Sequence, residues 1–131
     1  MMNNDNAISN ATKLFGYIGE HAGVSRFSAI LNKAFKANSD DAMMIPMNIR
    51  EDDFYFTLSN MKKSHVNGAV ISNEYVTLPL DILDTKSGLV EKTGMCDIVF
   101  KTDEKLHGDV FSIRVLLEKL KDYNATKIAI I

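Results

Sequence analysis

A chain of 131 residues with 46% apolar and 24% charged residues can bury one core, which excludes both a second globular unit and an intrinsically disordered chain. The formal charge of −2, with acidic and basic residues interleaved, gives no footprint for nucleic acid or an anionic membrane, so neither is expected as a partner. No stretch approaches the ~20 apolar residues of a membrane span, and Met1-Met2-Asn3-Asn4-Asp5-Asn6 lacks the basic and apolar regions of a signal peptide.

In chain order, residues 1–12 read as a flexible, Asn-rich leader. Lys13-Leu14-Phe15-Gly16-Tyr17-Ile18 is an apolar run ended by Gly19 and predicts a buried strand. Phe27, Ile30, Leu31, Ala34 and Phe35 then recur at the spacing that lines one face of a helix, with Ser25 available as its cap. Residues 42–49 predict a second strand, placed at a sheet edge or strand end by Pro46 because proline donates no ladder hydrogen bond. Asn48 and Glu51 have the spacing of a capping box, with Asp52 and Asp53 in the first turn of a helix running to about Ser64.

Residues 66–71 predict a third strand around Gly68. Residues 78 to about 92 predict a mostly helical stretch burying Leu80, Leu83 and Val90, a reading that Gly88 weakens. Asp97-Ile98-Val99-Phe100 and Lys105-Leu106-His107-Gly108 predict a hairpin across Lys101-Thr102-Asp103-Glu104. Ile113, Leu116, Leu117 and Leu120 mark a last amphipathic helix, and Lys127-Ile128-Ala129-Ile130-Ile131 a terminal strand. Strands alternating with helices imply an α/β three-layer sandwich with a mainly parallel sheet, occupying residues 13–131.

Four landmarks in this order resemble the N-terminal, substrate-binding domain of the shikimate dehydrogenase family. The family has Phe-Gly, then His-Ser-x-Ser-Pro at a helix start; here Phe15-Gly16 precedes His21-Ala22-Gly23-Val24-Ser25. Its Gly-x-Asn-Val-Thr-Val-Pro-Tyr-Lys falls on Gly68-Ala69-Val70-Ile71-Ser72-Asn73-Glu74-Tyr75-Val76. Its Gly-Ala-Val-Asn-Thr-Ile and Gly-x-Asn-Thr-Asp-Gly fall on Gly94-Met95-Cys96-Asp97-Ile98-Val99 and Gly108-Asp109-Val110-Phe111-Ser112-Ile113. Spacing survives better than chemistry, and none of the motifs is intact.

The resemblance implies a small-ligand cleft beyond the carboxyl ends of the strands, lined by His21, Ser25, Ser72, Asp97 and Ser112. It also implies what is missing. The family's proton-handling lysine and aspartate fall on Val76 and Ser112, and no lysine lies between Gly68 and Asp84. Valine cannot titrate, and a serine without an adjacent base is a poor proton acceptor. The two ligand-binding serines fall on Ala22 and Val24, and an asparagine on Val70, so the cleft is expected to be more apolar than the family's. The Asp97 carboxylate, where the family has asparagine, is expected to repel an anionic ligand.

The expected function is therefore that of a non-catalytic domain, without catalytic residues, that binds a small polar or mixed-polarity ligand, a protein partner or a second copy. The alternative is the substrate-binding half of an NADP-dependent oxidoreductase of the shikimate or quinate type. The family's NADP site lies in a domain beyond this sequence, and no cofactor site is expected within it; Gly16 and Gly19 lack the third glycine of a dinucleotide fingerprint. His65 and His107 have no companions at metal-ligand spacing, so no metal is expected. Met43, Met44 and Met47 read as gap-filling core residues. Cys96 has no partner for an internal bridge and reads as a buried thiol in a reducing cytoplasm.

Overall fold

The computed structural model describes residues 11–123. The leader up to residue 10 and the strand expected at residues 127–131 lie outside them. Among the described residues, six strands form one mixed, mostly parallel sheet in the order β2-β1-β3-β5-β6-β4.

Strand β1, Lys13–Gly19, lies between β2, Ala42–Asn48, and β3, Val66–Ile71, and runs parallel to both. Since β2 and β3 flank β1 on opposite sides, right-handed crossovers place the two connecting helices on opposite faces of the sheet. Contacts agree. Helix α1, Phe27–Ala37, packs on the face of Phe15 and Tyr17, with ring centroids 6.5 Å apart for Phe15–Phe35 and 4.7 Å for Tyr17–Phe27. Helix α2, Phe54–Met61, joins the other face, where Ile18, Phe54, Leu58 and Met61 share the core with Ala69, Val99 and Leu106. The three-layer arrangement read from the sequence is thus the one observed.

Pro46 sits in edge strand β2, as its missing N–H requires. The edge is also covered: Asn32 of α1 donates to the Met44 carbonyl at 2.9 Å and accepts the Met44 N–H at 2.7 Å, standing in for a further strand. Met44 is buried, and Met47 fills the space beside Gly16, its sulfur 2.6 Å from where a Cβ would stand.

Strand β4 is the two-residue Thr85–Lys86, β5 is Ile98–Thr102 and β6 is Lys105–Asp109. Strand β5 alone runs against the others. The hairpin turn is tighter than the sequence suggested: Asp103 and Glu104, at φ 53° and 62°, make the connection, which leaves Lys101 and Thr102 in the strand. Helix α3 is Gly88–Thr93 and helix α4 is Phe111–Lys121.

Four local expectations are corrected. Residues 78–92 are not mostly helical: a 3₁₀ turn at Leu78–Asp81 gives way to β4 and then α3. Asp84 explains the break, because its N–H donates to the Leu106 carbonyl at 2.8 Å and its carboxylate accepts the Leu106 N–H at 2.7 Å, tying the chain to β6. The capping box does not form: the Asn48 side chain accepts the Gly23 N–H at 2.7 Å, and α2 starts from a 3₁₀ turn at Glu51–Asp53. The stripe on α1 is only partly covered, with Ile30 61% exposed and buried Ser28 taking a place beside half-buried Leu31 and Phe35. Likewise α4 buries none of its residues. At the other end of the chain, Thr12 is tied down, its hydroxyl donating to Asp41 at 2.7 Å.

Candidate ligand-binding cleft

The carboxyl ends of β1 and β3 point to one end of the sheet, and the segments that follow them meet there. The Ser72 N–H donates to the Ile18 carbonyl at 2.9 Å and the Ile49 N–H to the Gly19 carbonyl at 2.9 Å, fixing the three strand exits side by side. A cleft opens between α1 and α4 on the Tyr17 face. Its larger lobe, about 500 Å³, is walled by Tyr17, Phe27, Leu31, Val70, Ile98 and Phe111 and reaches Ser72 and Asp97. A smaller, more polar lobe of about 360 Å³ is lined by Tyr17, Glu20, His21, Ala22, Ser25, Ser72 and Glu74. Tyr17 and Ser72 belong to both, so the lobes adjoin.

The polar lobe is organised by one carboxylate. Tyr17 donates its hydroxyl proton to Ser72 at 3.3 Å, Ser72 donates to Glu74 Oε2 at 2.5 Å, and Glu74 Oε1 accepts the Glu20 N–H at 3.0 Å. The Ser72 hydrogen bond outweighs burial and, with the backbone N–H groups and neighbouring His21, holds the Glu74 carboxyl below the usual glutamate range.

Four of the five residues singled out from the sequence line these lobes. His21 lines the polar lobe and Ser72 the junction. Ser25 lines the polar lobe; it is not the N-cap expected of it, a place taken by Arg26, but its oxygen accepts the Phe27 N–H at 3.1 Å just before the helix. Asp97 reaches the larger lobe, yet its two oxygens accept the N–H groups of Phe111 at 2.7 Å and Ser112 at 3.0 Å, so its carboxylate caps α4. Ser112, the fifth, lines neither lobe; its N–H is held by Asp97 at the start of α4. Of the apolar replacements, Val70 and Ala22 line the cleft, whereas Val24 is 84% exposed. The Val76 carbonyl accepts the Cys96 N–H at 2.7 Å, which fixes its register.

Tyr17, Glu20 and Glu74 were not singled out from the sequence. A polar aromatic two residues after Phe15 on a strand, and an acid two residues after Ser72, are the signals by which Tyr17 and Glu74 could have been found; Glu20 leaves none. Asp109 is not free to serve as a base: it accepts from Ser87 at 2.8 Å and from both Nε and Nη2 of Arg114 at 3.1 and 2.9 Å. A third cavity of about 310 Å³, on the α2 face beside Ile18, Met47 and Phe56, shares none of these residues and is almost wholly apolar.

The two glycines of β1 do not form a dinucleotide phosphate turn. Gly16 is inside β1 and packed by Met47, and a Cβ at Gly19 would stand 2.8 Å from that of Ser72, so neither opens a phosphate turn. Among the described residues no three His, Cys, Asp or Glu side chains are grouped to hold a metal ion, and no helix is long and apolar enough to cross a membrane.

No family model matches the chain. It is 30% identical over 120 residues to a shikimate dehydrogenase (NADP(+)) of Dictyoglomus thermophilum, covering 92% of this chain and 44% of that protein. It is 30% identical over 112 residues to that of Clostridium perfringens, covering 83% and 41%. The chain thus spans less than half the length of the curated relatives it matches. Among solved structures, a shikimate 5-dehydrogenase from Listeria monocytogenes in complex with shikimate and NAD superposes with a TM-score of 0.81 at 21% identity, covering 92% of this chain and 42% of that one. A 5-ketofructose reductase from a Gluconobacter species superposes with a TM-score of 0.77 at 19% identity, covering 85% and 40%. One fold carries both names, so the fold alone leaves the ligand open.

Proposed function

The homologues of this chain are shikimate dehydrogenases and it matches the N-terminal portion of that family, and from this we propose that it is a ligand-binding domain of that kind that carries no proton-transfer pair of its own. The observation that carries the reading is at position 76. Valine stands where the family has its lysine, its carbonyl is tied to Cys96, and no lysine occurs from Gly68 to Asp84, so a small shift in alignment does not supply one. Where the family has its proton-handling pair a ligand meets no titratable side chain: valine stands at 76 and serine at 112, the Ser72 hydroxyl donates its hydrogen bond to Glu74, and Asp97 is occupied as a cap.

On this reading the chain, in the cytoplasm, has no dehydrogenase activity on shikimate or quinate with NADP or NAD. Shikimate titrated to about 1 mM gives no saturable signal, since each unmatched hydroxyl costs about 1–3 kcal/mol. Ala22→Ser, Val24→Ser, Val70→Asn and Val76→Lys introduced together bring measurable binding. Cofactor-dependent turnover by the pure chain, or micromolar shikimate binding, sinks the proposal.

The chain's coverage of 44% or less of its relatives favours a second reading, the substrate-binding half of an oxidoreductase acting with a nucleotide-binding domain. A glycine-rich phosphate turn encoded after Ile131, and turnover when that domain is supplied, would establish it. Exposed Val115, Leu116 and Leu117 on α4 offer either reading a surface for a protein partner or a second copy.

A further inference from the structure

Taken as the ligand site, on which the proposal below rests, the cleft has a charge opposite to the one a carboxylate ligand needs. Each hydroxyl holds one proton, and here both run inward: Tyr17 to Ser72, Ser72 to Glu74. The Tyr17 and Ser72 hydroxyls are therefore spent, and the polar lobe presents acceptor capacity on Glu74 and the carboxylate of Glu20 beside the His21 ring and the Ser25 hydroxyl. No lysine or arginine lines either lobe. An incoming carboxylate finds the like charge of Glu20 and Glu74, with only neutral donors on Ser25 and Asn73 and the His21 ring to set against it; an incoming cation with N–H groups finds two carboxylates in a concave, partly screened site.

The adjoining lobe selects for the rest of the molecule. Its walls are the rings of Tyr17, Phe27 and Phe111 with Val70 and Ile98 between them, and at about 500 Å³ it has room for a ring-sized apolar body. The Tyr17 ring borders both lobes, where a cation gains further from an aromatic face. We propose that this cleft binds a primary ammonium carried on an apolar or aromatic body, with the ammonium at Glu74 and Glu20 and the body against Phe27 and Phe111.

The experiment is a titration of the whole chain, followed by backbone amide resonances, with three probes: phenethylammonium, 3-phenylpropionate and shikimate. Phenethylammonium is expected to shift the amides of Ser72, Glu74 and Phe27 to saturation, and to bind at least about tenfold tighter than 3-phenylpropionate, whose body is similar and whose charge is opposite. Glu74→Gln, which removes the charge and keeps one of the two acceptor oxygens, is expected to weaken phenethylammonium about three- to tenfold and leave 3-phenylpropionate no weaker. Glu20→Gln is the second variant and acts in the same direction. Raising the salt weakens the ammonium only.

Equal or tighter binding of 3-phenylpropionate, an unchanged affinity in both variants, or no saturation by the ammonium up to about 10 mM overturns the charge assignment. If shikimate is silent as well, that assignment alone fails and the non-catalytic reading stands. Micromolar saturation by shikimate overturns both.

Discussion

Asp97 shows how a residue can be found for one reason and used for another. It stands where the family has a ligand-facing asparagine, but its oxygens are committed to the N–H groups of Phe111 and Ser112, two of the unpaired donors that begin α4. Repulsion of an anion is thus secondary to holding a helix that buries none of its own residues. Asp97→Ala is expected to destabilise the protein by about 1–2 kcal/mol and Asp97→Asn, which keeps one acceptor, by roughly half as much, measured as urea midpoints at constant slope. Loss of less than about 0.3 kcal/mol in the alanine variant would mean that the cap contributes little. The sequence could not reveal this role, because donor and acceptor lie 14 and 15 residues apart on different elements.

At the scale of elements, the close approach of strands is set by residues without side chains. A Cβ on Gly68 would stand 2.5 Å from the Val99 carbonyl oxygen, a backbone atom that can retreat only by opening the β3–β5 ladder. At Gly108 the nearest atom is closer, 2.3 Å, but it is the tip of the Leu83 side chain, which can rotate away. Gly68→Ala is therefore expected to cost about 2–3 kcal/mol and Gly108→Ala about 1 kcal/mol, the reverse of the order that distance alone suggests. Chemical denaturation of the two variants decides, and equal losses would show that Leu83 is as rigid as the strand. The elements legible in advance were those with a strong local signal: β1 and β3 fall where the apolar runs put them, and α1 where the helical spacing does. The segment at 78–92 was misread because Asp84 and a two-residue strand are dictated by β6, 22 residues away in sequence, and leave no local period.

Across the whole molecule, ionisation bounds the range in which the fold is stable. Hydrogen bonds hold three carboxyls below their ordinary values: Ser72 on Glu74, Leu106 N–H then Lys62 on Asp84, and at Asp109, where burial opposes, Arg114, Ser87 and Val110 N–H together. Carboxyls depressed on folding stabilise above their unfolded pKa of about 4 and lose that contribution as pH falls through the folded values. Burial pushes the Cys96 thiol up to about 11 and raises the Tyr75 hydroxyl, whose proton goes to the Ile49 carbonyl; both stabilise below their unfolded values and lose this as pH rises through the folded ones. Urea midpoints are expected to be highest between about pH 5 and 8 and to fall on either side. Asp109→Asn should lower the plateau and flatten the acid limb, while Cys96→Ala should lower the plateau and flatten the alkaline limb. An acid limb as steep in Asp109→Asn as in the parent would remove Asp109 from this account.

The sequence by itself determined the layered α/β fold, the edge position of Pro46, the burial of Cys96 and the order of landmarks that links the chain to its relatives. These depend on local period, on the chemistry of single residues and on intervals along the chain. Only the tertiary structure decided that Tyr17, Ser72, Glu74 and the Glu20 N–H form one network, that Asp97 caps a helix, and that an apolar lobe adjoins an acidic one. Those facts turn on which atoms from distant segments meet at the strand ends and which way each proton is given, and a hydrogen bond between strand exits leaves no period in the chain.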